Sequence, residues 1–388
     1  MLHVLTLSTL FPDATRPNFG VFVERQTLGL AALPDTEVTV VAPVGLPPWF
    51  IRRPEHRALA TIPTEEGWKG LAVHRPRFSS IPGTSGRFHV KELNRTLVPL
   101  VDRLAGTFDV IDASFFFPDG PAAVALGRRY GVPVSIKARG ADVHYWGNLP
   151  ATAAQVRAAG RAADGLLAVS MAMKADMVAL GMPAQNIRVH YTGIDHERFK
   201  SHGSRMLAQR DWSLNGPAVL SLGALIPRKG HDILIQAMAR IPDVPLVIAG
   251  DGPERAALIA LADRVGLGSR LYLLGSVPHD ELPWLLEAVN VMALASASEG
   301  LANAWVEALA MGVPIVIPDA GAAREVVTSS VAGRVVERTP EAFADAIAEL
   351  LATPPWFRDV AKAAVPFSWD RNARELREHL AGLVAART

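Results

Sequence analysis

Short apolar runs alternate with helix-length segments twice along this chain, and a polar stretch separates the two series. Apolar runs without alternation suit strands buried on both faces, as in parallel sheets covered by helices. In the first series the runs fall at Leu2–Leu7, Glu37–Ala42, Asp109–Ala113, Val132–Lys137, Gly165–Val169 and Ile187–His190. The second opens at Pro217, with runs at Ala218–Leu222, Val244–Ala249, Arg270–Leu274, Asn290–Leu294 and Gly333–Glu337. The pattern predicts an α/β chain of two Rossmann-like, doubly wound domains, with Lys200 to Asn215 as the polar linker. At 388 residues and 49% hydrophobic content, two ordinary cores are within reach.

Ligands of open α/β sheets bind beyond the carboxyl ends of the strands, so the loops there hold the candidate residues. The richest runs from Ala293 to Glu325 and carries two carboxylates, Glu299 and Glu307. On one continuous helix eight residues span about 12 Å, too far for a shared proton or one metal ion, and right for two contacts on a long ligand. Ionised carboxylates accept hydrogen bonds from hydroxyls. Gly300 precedes the helix, whose first turn near Leu301 to Ala304 offers unpaired N–H groups and a positive dipole end. A polyhydroxylated, anionic ligand fits. Glu299 also reads as a favourable charge before a helix, whereas Glu307 lies in an apolar helix and needs partners.

Arg228 and Lys229 follow the first strand of the second series, where adjacent cations would neutralise a diphosphate. The glycines of GDGP, Gly250 and Gly252, read either as phosphate contacts or as a tight turn. In the first series Gly20 stands before the Val21–Leu33 helix, as an anion contact or an ordinary loop glycine. Arg139, Asp142 and His144 follow a strand end. From Pro43 to Gly86 the pattern loosens into proline- and aromatic-rich loop. Its Trp49 and Phe50, beside Arg52 and Arg53, read as an acceptor or anionic-lipid interface, or as aromatics tucked under a solvated basic loop, the favoured reading.

Net charge is +1, which gives no case for nucleic acid, although residues 1–200 carry +5 and the rest −4. Cysteine is absent, which fits a reducing compartment. Neither a charged leader nor an apolar run of the ~20 residues that span a bilayer is visible, so a cytoplasmic protein is expected, with any membrane contact at the inner face. There is no Asp-x-Asp; Asp195-His196-Glu197 reads as a loop, so no metal is demanded.

Together the segments PNFGVFVERQ, RGADV, YTGIDHERF, LGALIPRKGHDILI, IAGDGPER, LLGSVPHDEL, SEGLANAWVEALAMGVPIV and GAAREVV resemble the retaining, nucleotide-sugar-dependent glycosyltransferases of family 4. That resemblance implies the GT-B fold, with two domains facing a central cleft: 1–200 for the acceptor, 201–368 for the donor, and a terminal helix, 369–388, crossing back to the first. It implies donor binding by Gly20, Gly223, Arg228, Lys229, Val277, Glu299, Gly300, Leu301, Ala302, Asn303 and Glu307. Glu299 would hold sugar hydroxyls, Glu307 the ribose, Arg228 and Lys229 the diphosphate, and the backbone near Val277 the base. Arg139, Asp142, Lys229 and Glu299 are the catalytic candidates. Arg139 stands where relatives often carry His, and Ala224 where they often carry Arg.

The reading is a glycosyltransferase acting with retention on a nucleoside diphosphate sugar. Its acceptor would be a saccharide or lipid-linked hydroxyl in cell-envelope polysaccharide or glycolipid synthesis, with no cofactor or metal. A sugar-nucleotide epimerase, a phosphorylase and a non-catalytic nucleotide-sugar-binding protein stay open.

Overall fold

The computed structural model describes residues 1–17 and 19–387, and of Ala141 only the backbone. Asn18 in the PNFGVFVERQ segment and Thr388, the last residue of the helix expected over 369–388, lie outside the described residues. The chain divides into two units, Met1–Gly193 with Trp369–Thr388, and Ile194–Ser368.

In the first unit, β1 (Leu2–Leu7) is flanked by β2 (Thr36–Val41) and β7 (Val110–Ala113), all parallel. The others are β3 (Val44–Leu46), β4 (Glu65–Trp68), β5 (Leu71–His74), β6 (Arg77–Ser79), β8 (Val134–Ala138), β9 (Gly165–Ala168) and β10 (Ile187–Val189). The main sheet runs β10-β9-β8-β7-β1-β2-β5-β4, with only β4 antiparallel, and β3 pairs with β6 apart from it. Strand order reverses between β1 and β7, which makes the loops after these strands a switch point. Val4, Val40, Val73 and Val110 fill the sheet side of the core, and Val23 and Leu30 of the Val21–Ala31 helix pack onto it.

The segment 43–86 is not the loop its composition predicts. β4 and β5 form a hairpin on the sheet edge through Lys69 and Gly70, both at positive φ (49° and 89°), the geometry of a tight two-residue turn. Arg75, 2% exposed, ties the segment down through Glu66 and the Pro12 carbonyl. Trp49 and Phe50 are not tucked under: they are 80% and 70% exposed, on a single helical turn ahead of the short Pro54–Ala60 helix.

The terminal helix, Trp369–Ala385, packs on the Val21–Ala31 helix and buries Leu376 and Leu380. Gly29 permits the approach: a Cβ there would sit 3.3 Å from the Ala373 methyl. Arg377 Nε donates to Thr36 Oγ1 (2.9 Å), and His379 Nε2 exchanges a hydrogen bond with Ser135 Oγ (3.0 Å).

Burial lowers the His379 imidazole to about 4 from an ordinary 6.5. Between these values the unfolded chain binds a proton that the folded chain does not. The stability His379 contributes is therefore complete above about 6.5 and is lost as pH falls through about 4, on the order of 3 kcal/mol. Buried Asp119, raised to about 7, acts oppositely, losing its contribution as pH rises through 7. In His379→Asn the fall of Tm from pH 6.5 to 4 is expected to be shallower than in the parent; equal slopes by calorimetry would refute the linkage.

In the second unit all six strands are parallel: β11 (Val219–Leu222), β12 (Leu246–Ala249), β13 (Leu271–Gly275), β14 (Val291–Ala293), β15 (Ile315–Pro318) and β16 (Gly333–Val336). The order β13-β12-β11-β14-β15-β16 puts the switch point between β11 and β14. Val219, Ile248, Val291 and Val316 meet Leu234 and Met238 of the His231–Ala239 helix in the core.

The polar stretch 200–215 is no linker. It lies wholly in the second unit and contains the helix Arg205–Asp211. Buried Glu287 anchors it, accepting from Ser201 Oγ (3.0 Å), His202 N (3.1 Å) and Ser204 N (3.1 Å). Polar side chains that serve one buried acceptor look, in sequence, like a solvated connector. The units divide instead at Gly193–Ile194, where Ile194 N donates to the Phe367 carbonyl (3.2 Å) beside the returning chain.

Candidate functional site

The second unit assembles its site at the switch point. The loop after β11 leads through Pro227–Lys229 into the His231–Ala239 helix, and the loop after β14 leads into the Asn303–Ala310 helix. Because β11 and β14 are neighbours, the two loops touch. Lys229 Nζ donates to Glu299 Oε1 at 2.6 Å, with both side chains mostly buried, and Arg228 Nη1 lies 3.6 Å from the same oxygen. Arg228 Nη1 also donates to the Ser298 carbonyl (2.5 Å), and Ala297 N donates to the Arg228 carbonyl (2.8 Å).

Glycines make this contact possible. Gly230 caps the helix at φ 68°, and a Cβ there would fall 2.2 Å from the Ala295 carbonyl oxygen. Gly250 and Gly252, of the GDGP segment, admit the backbone of Gly223 to Leu225: a Cβ on Gly250 would meet the Gly223 oxygen at 1.9 Å. Gly223 in turn carries the Lys229 stem, whose Cδ and Cε lie 3.4 Å from where its own Cβ would be. From the other side Gly321, at φ 53°, clears the Glu299 carbonyl, and Ala322 N donates to the Gly300 carbonyl (2.9 Å).

Glu299 and Glu307 do not share one helix. The helix starts at Asn303, so Glu299 projects from an irregular loop, and helical geometry does not set the spacing of the two carboxylates. Leu301 is buried, and Ala302 caps the helix with no side-chain acceptor for its first N–H groups. Glu307 finds the partner its burial demands: His279 Nε2 lies 3.0 Å from Oε1. His279 was not among the residues expected here. It sits two positions past Val277 on the loop after β13, and its pairing brings that loop to the Glu307 carboxylate.

In the first unit, Gly20 caps the Val21–Ala31 helix at φ 73°, and a Cβ would strike the Leu10 carbonyl oxygen at 2.4 Å. Close packing against Leu10 is thus enough to require glycine there. Arg139 stacks over the Phe22 ring (4.8 Å), with Nε donating to the Ser114 carbonyl (2.6 Å) and Nη2 to Gln26 Oε1 (3.1 Å). Burial lowers its guanidinium to about 10, still charged at neutral pH. The same Gln26 oxygen accepts from buried Lys137 Nζ (2.8 Å), which also meets His190 Nδ1 (2.9 Å). Burial lowers the pKa values of Lys137 and His190 well below the ordinary range, Arg139 adding to the shift of Lys137.

Asp142 has no exposed surface, and its oxygens accept from the backbone N–H groups of Phe116, Arg139 and Gly140 at 2.7–3.0 Å. Burial raises its pKa against those hydrogen bonds. In this arrangement the carboxylate orients the Arg139 loop. His144 pairs with Asp176 (2.8 Å). In the first unit Arg139 and Asp142 are brought together, whereas His144 and Gly20 meet other partners; in the second Lys229 and Glu299 are joined; and among the described residues no group of three or more His, Asp or Glu side chains could hold a metal ion.

Two doubly wound units, one with a cation pair locked to a carboxylate at its switch point, are the organisation of a GT-B sugar transferase. Family models for glycosyltransferase family 4 and for glycosyl transferases group 1 match residues 20–198 and 206–365. The chain is 30% identical over 275 residues to the GDP-mannose-dependent alpha-(1-6)-phosphatidylinositol monomannoside mannosyltransferase of Mycolicibacterium smegmatis, covering 67% of this chain and 72% of that protein. It is 29% identical to a GDP-mannose-dependent alpha-mannosyltransferase of Mycobacterium tuberculosis, covering 87% and 91%. The solved structure of sucrose-phosphate synthase from Thermosynechococcus elongatus superposes with TM-score 0.82 at 20% identity, over 100% of each chain. This chain belongs to glycosyltransferase family 4, and it is a glycosyltransferase that takes its sugar from a nucleotide sugar.

Proposed function

We propose that the enzyme moves a hexose to an acceptor hydroxyl with retention of anomeric configuration and without a metal ion. The second unit binds the donor. Arg228 and Lys229 take the diphosphate, Glu299 and the N–H groups of Leu301 to Asn303 take the sugar, Glu307 takes the ribose, and the backbone at Val277 takes the base. The observation that carries this reading is the 2.6 Å Lys229–Glu299 contact at the switch point. It sets a phosphate-binding cation against a hydroxyl-binding carboxylate, the two chemistries that a nucleoside diphosphate sugar presents side by side.

Departure of the diphosphate builds negative charge next to Lys229 and Arg228, and fixed cations in a partly desolvated site stabilise such charge strongly. The first unit takes the acceptor, with Arg139 as its positioned donor group. Trp49 and Phe50, exposed beside Arg52 and Arg53, support contact with an anionic membrane surface that would carry a lipid-linked acceptor.

The test is transfer from GDP-mannose, the donor named for the mycobacterial relatives, with UDP-sugars in parallel, to saccharide acceptors and to glycolipids in anionic vesicles. The expected product keeps the donor's anomeric configuration by NMR, without added metal and in the presence of chelator. An inverted product or a metal requirement would overturn the mechanism. Conversion without acceptor would mark an epimerase, and binding without release of nucleoside diphosphate a non-catalytic protein. Vesicle stimulation that persists in Trp49→Ser/Phe50→Ser would remove the membrane surface from the proposal.

A further inference from the structure

The second unit holds a cavity of about 460 Å³ at the end of its sheet opposite the switch point. Asn290 and Pro314 line it, and each immediately precedes a strand, β14 and β15, whereas Lys229 and Glu299 lie beyond the strands' carboxyl ends. At roughly 3.3 Å per residue, the stretch from 290 to 296 separates the two ends by about 20 Å. The cavity therefore belongs to no part of the donor site. Its volume is in the range of small-molecule pockets, roughly 300–1,000 Å³.

The lining combines two features. Arg205 opens the Arg205–Asp211 helix, and its Nε is shielded from solvent with no hydrogen-bond partner. Burial lowers its guanidinium pKa, partly offset by Glu287. Glu287 itself accepts from Ser201 Oγ, His202 N and Ser204 N. A half-buried guanidinium on a cavity wall is a ready partner for a planar oxyanion, which its fork can hold in two parallel bonds. The second feature is aromatic. Trp356, 60% exposed, and Phe357 also line the cavity, with ring centroids 5.4 Å apart and planes tilted by 34°. An exposed indole offers a flat apolar face with a polar edge, the surface on which the C–H face of a pyranose packs.

We propose that this cavity is a second saccharide site, selective for a sugar that carries a carboxylate or phosphate. The anion pairs with Arg205, the ring lies on Trp356, and Asn290 with the open edge of the cavity meets the hydroxyls. Such a site, remote from the switch point, would hold a non-reacting part of an anionic glycan or a sugar-phosphate effector.

The experiment is calorimetric titration of the full chain with D-glucuronate, D-glucose 6-phosphate, D-glucose and inorganic phosphate. One or both anionic sugars should bind at least tenfold more tightly than glucose and than phosphate, and the stronger identifies which anion the site reads. Arg205→Leu and Trp356→Ala should each weaken that binding at least tenfold, while Lys229→Ala leaves it unchanged. Arg205→Leu should also fold with a Tm close to the parent's, so that lost affinity is not lost fold. The proposal fails if no anionic sugar outbinds glucose, if inorganic phosphate binds equally well, if affinity survives Arg205→Leu, or if it disappears in Lys229→Ala.

Discussion

Lys229→Ala is expected to lower kcat/KM for sugar transfer at least about a hundredfold, the size of losing one fixed electrostatic contact to a developing charge. The side chain is held in place. Its stem lies on Gly223, its ammonium on Glu299, and its loop is joined to the β14 loop through the Arg228 carbonyl and Ala297 N. Glu299→Ala should lose a comparable amount, by releasing both the sugar hydroxyls and the cation. The double variant should lose much less than the product of the two single losses, because the pair acts as one unit. Circular dichroism and Tm close to the parent's would assign the loss to chemistry. Near-parental turnover in both single variants would remove the switch-point pair from the reaction.

Gly321→Ala is the second large effect, and it acts without touching any ligand. The new methyl would stand 2.2 Å from the Glu299 carbonyl oxygen and 2.7 Å from that of Gly300, at a φ of 53° that side chains rarely adopt. Backbone cannot yield as a flexible side chain can, so the Glu299 loop must shift by the better part of an ångström. Misplacement on that scale costs about a hundredfold in rate where geometry is the source of catalysis. We expect kcat/KM to fall between ten- and a hundredfold, with strain of about 1–3 kcal/mol appearing as a lower Tm. Ala322→Gly, next in the chain, lacks the clash and should keep most of the activity. Equal activity in Gly321→Ala and the parent would show that the loop is not held by this contact.

Most of the fold was legible because a buried parallel strand leaves a local trace, an apolar run followed by a helix-length segment. β1 and β2 lie within a residue of where the pattern puts them. The trace fails where burial is bought by single polar contacts. β5 joins the main sheet although Ala72 faces out and a hairpin on Lys69-Gly70 makes the turn, and neither is a strong local signal. The Arg205–Asp211 helix reads as linker because the acceptor for its leading residues is Glu287, more than eighty residues away.

The site divides along the same line. Residue types and order were enough to single out Arg228, Lys229, Glu299 and Glu307 as candidates, because cations and carboxylates in the segments beyond strand ends carry their chemistry with them. Which atoms meet is not a local property. That Lys229 is locked to Glu299 follows from β11 and β14 being neighbours in a sheet whose order reverses between them. His279 as the partner of Glu307, Gln26 as the shared acceptor of Lys137 and Arg139, and Gly321 as the support of the Glu299 loop arise the same way. Local chemistry is written in the chain because each side chain has its charge and shape before folding. Pairing across tens or hundreds of residues exists only once the strands have taken their order, since that order decides which loops share an edge.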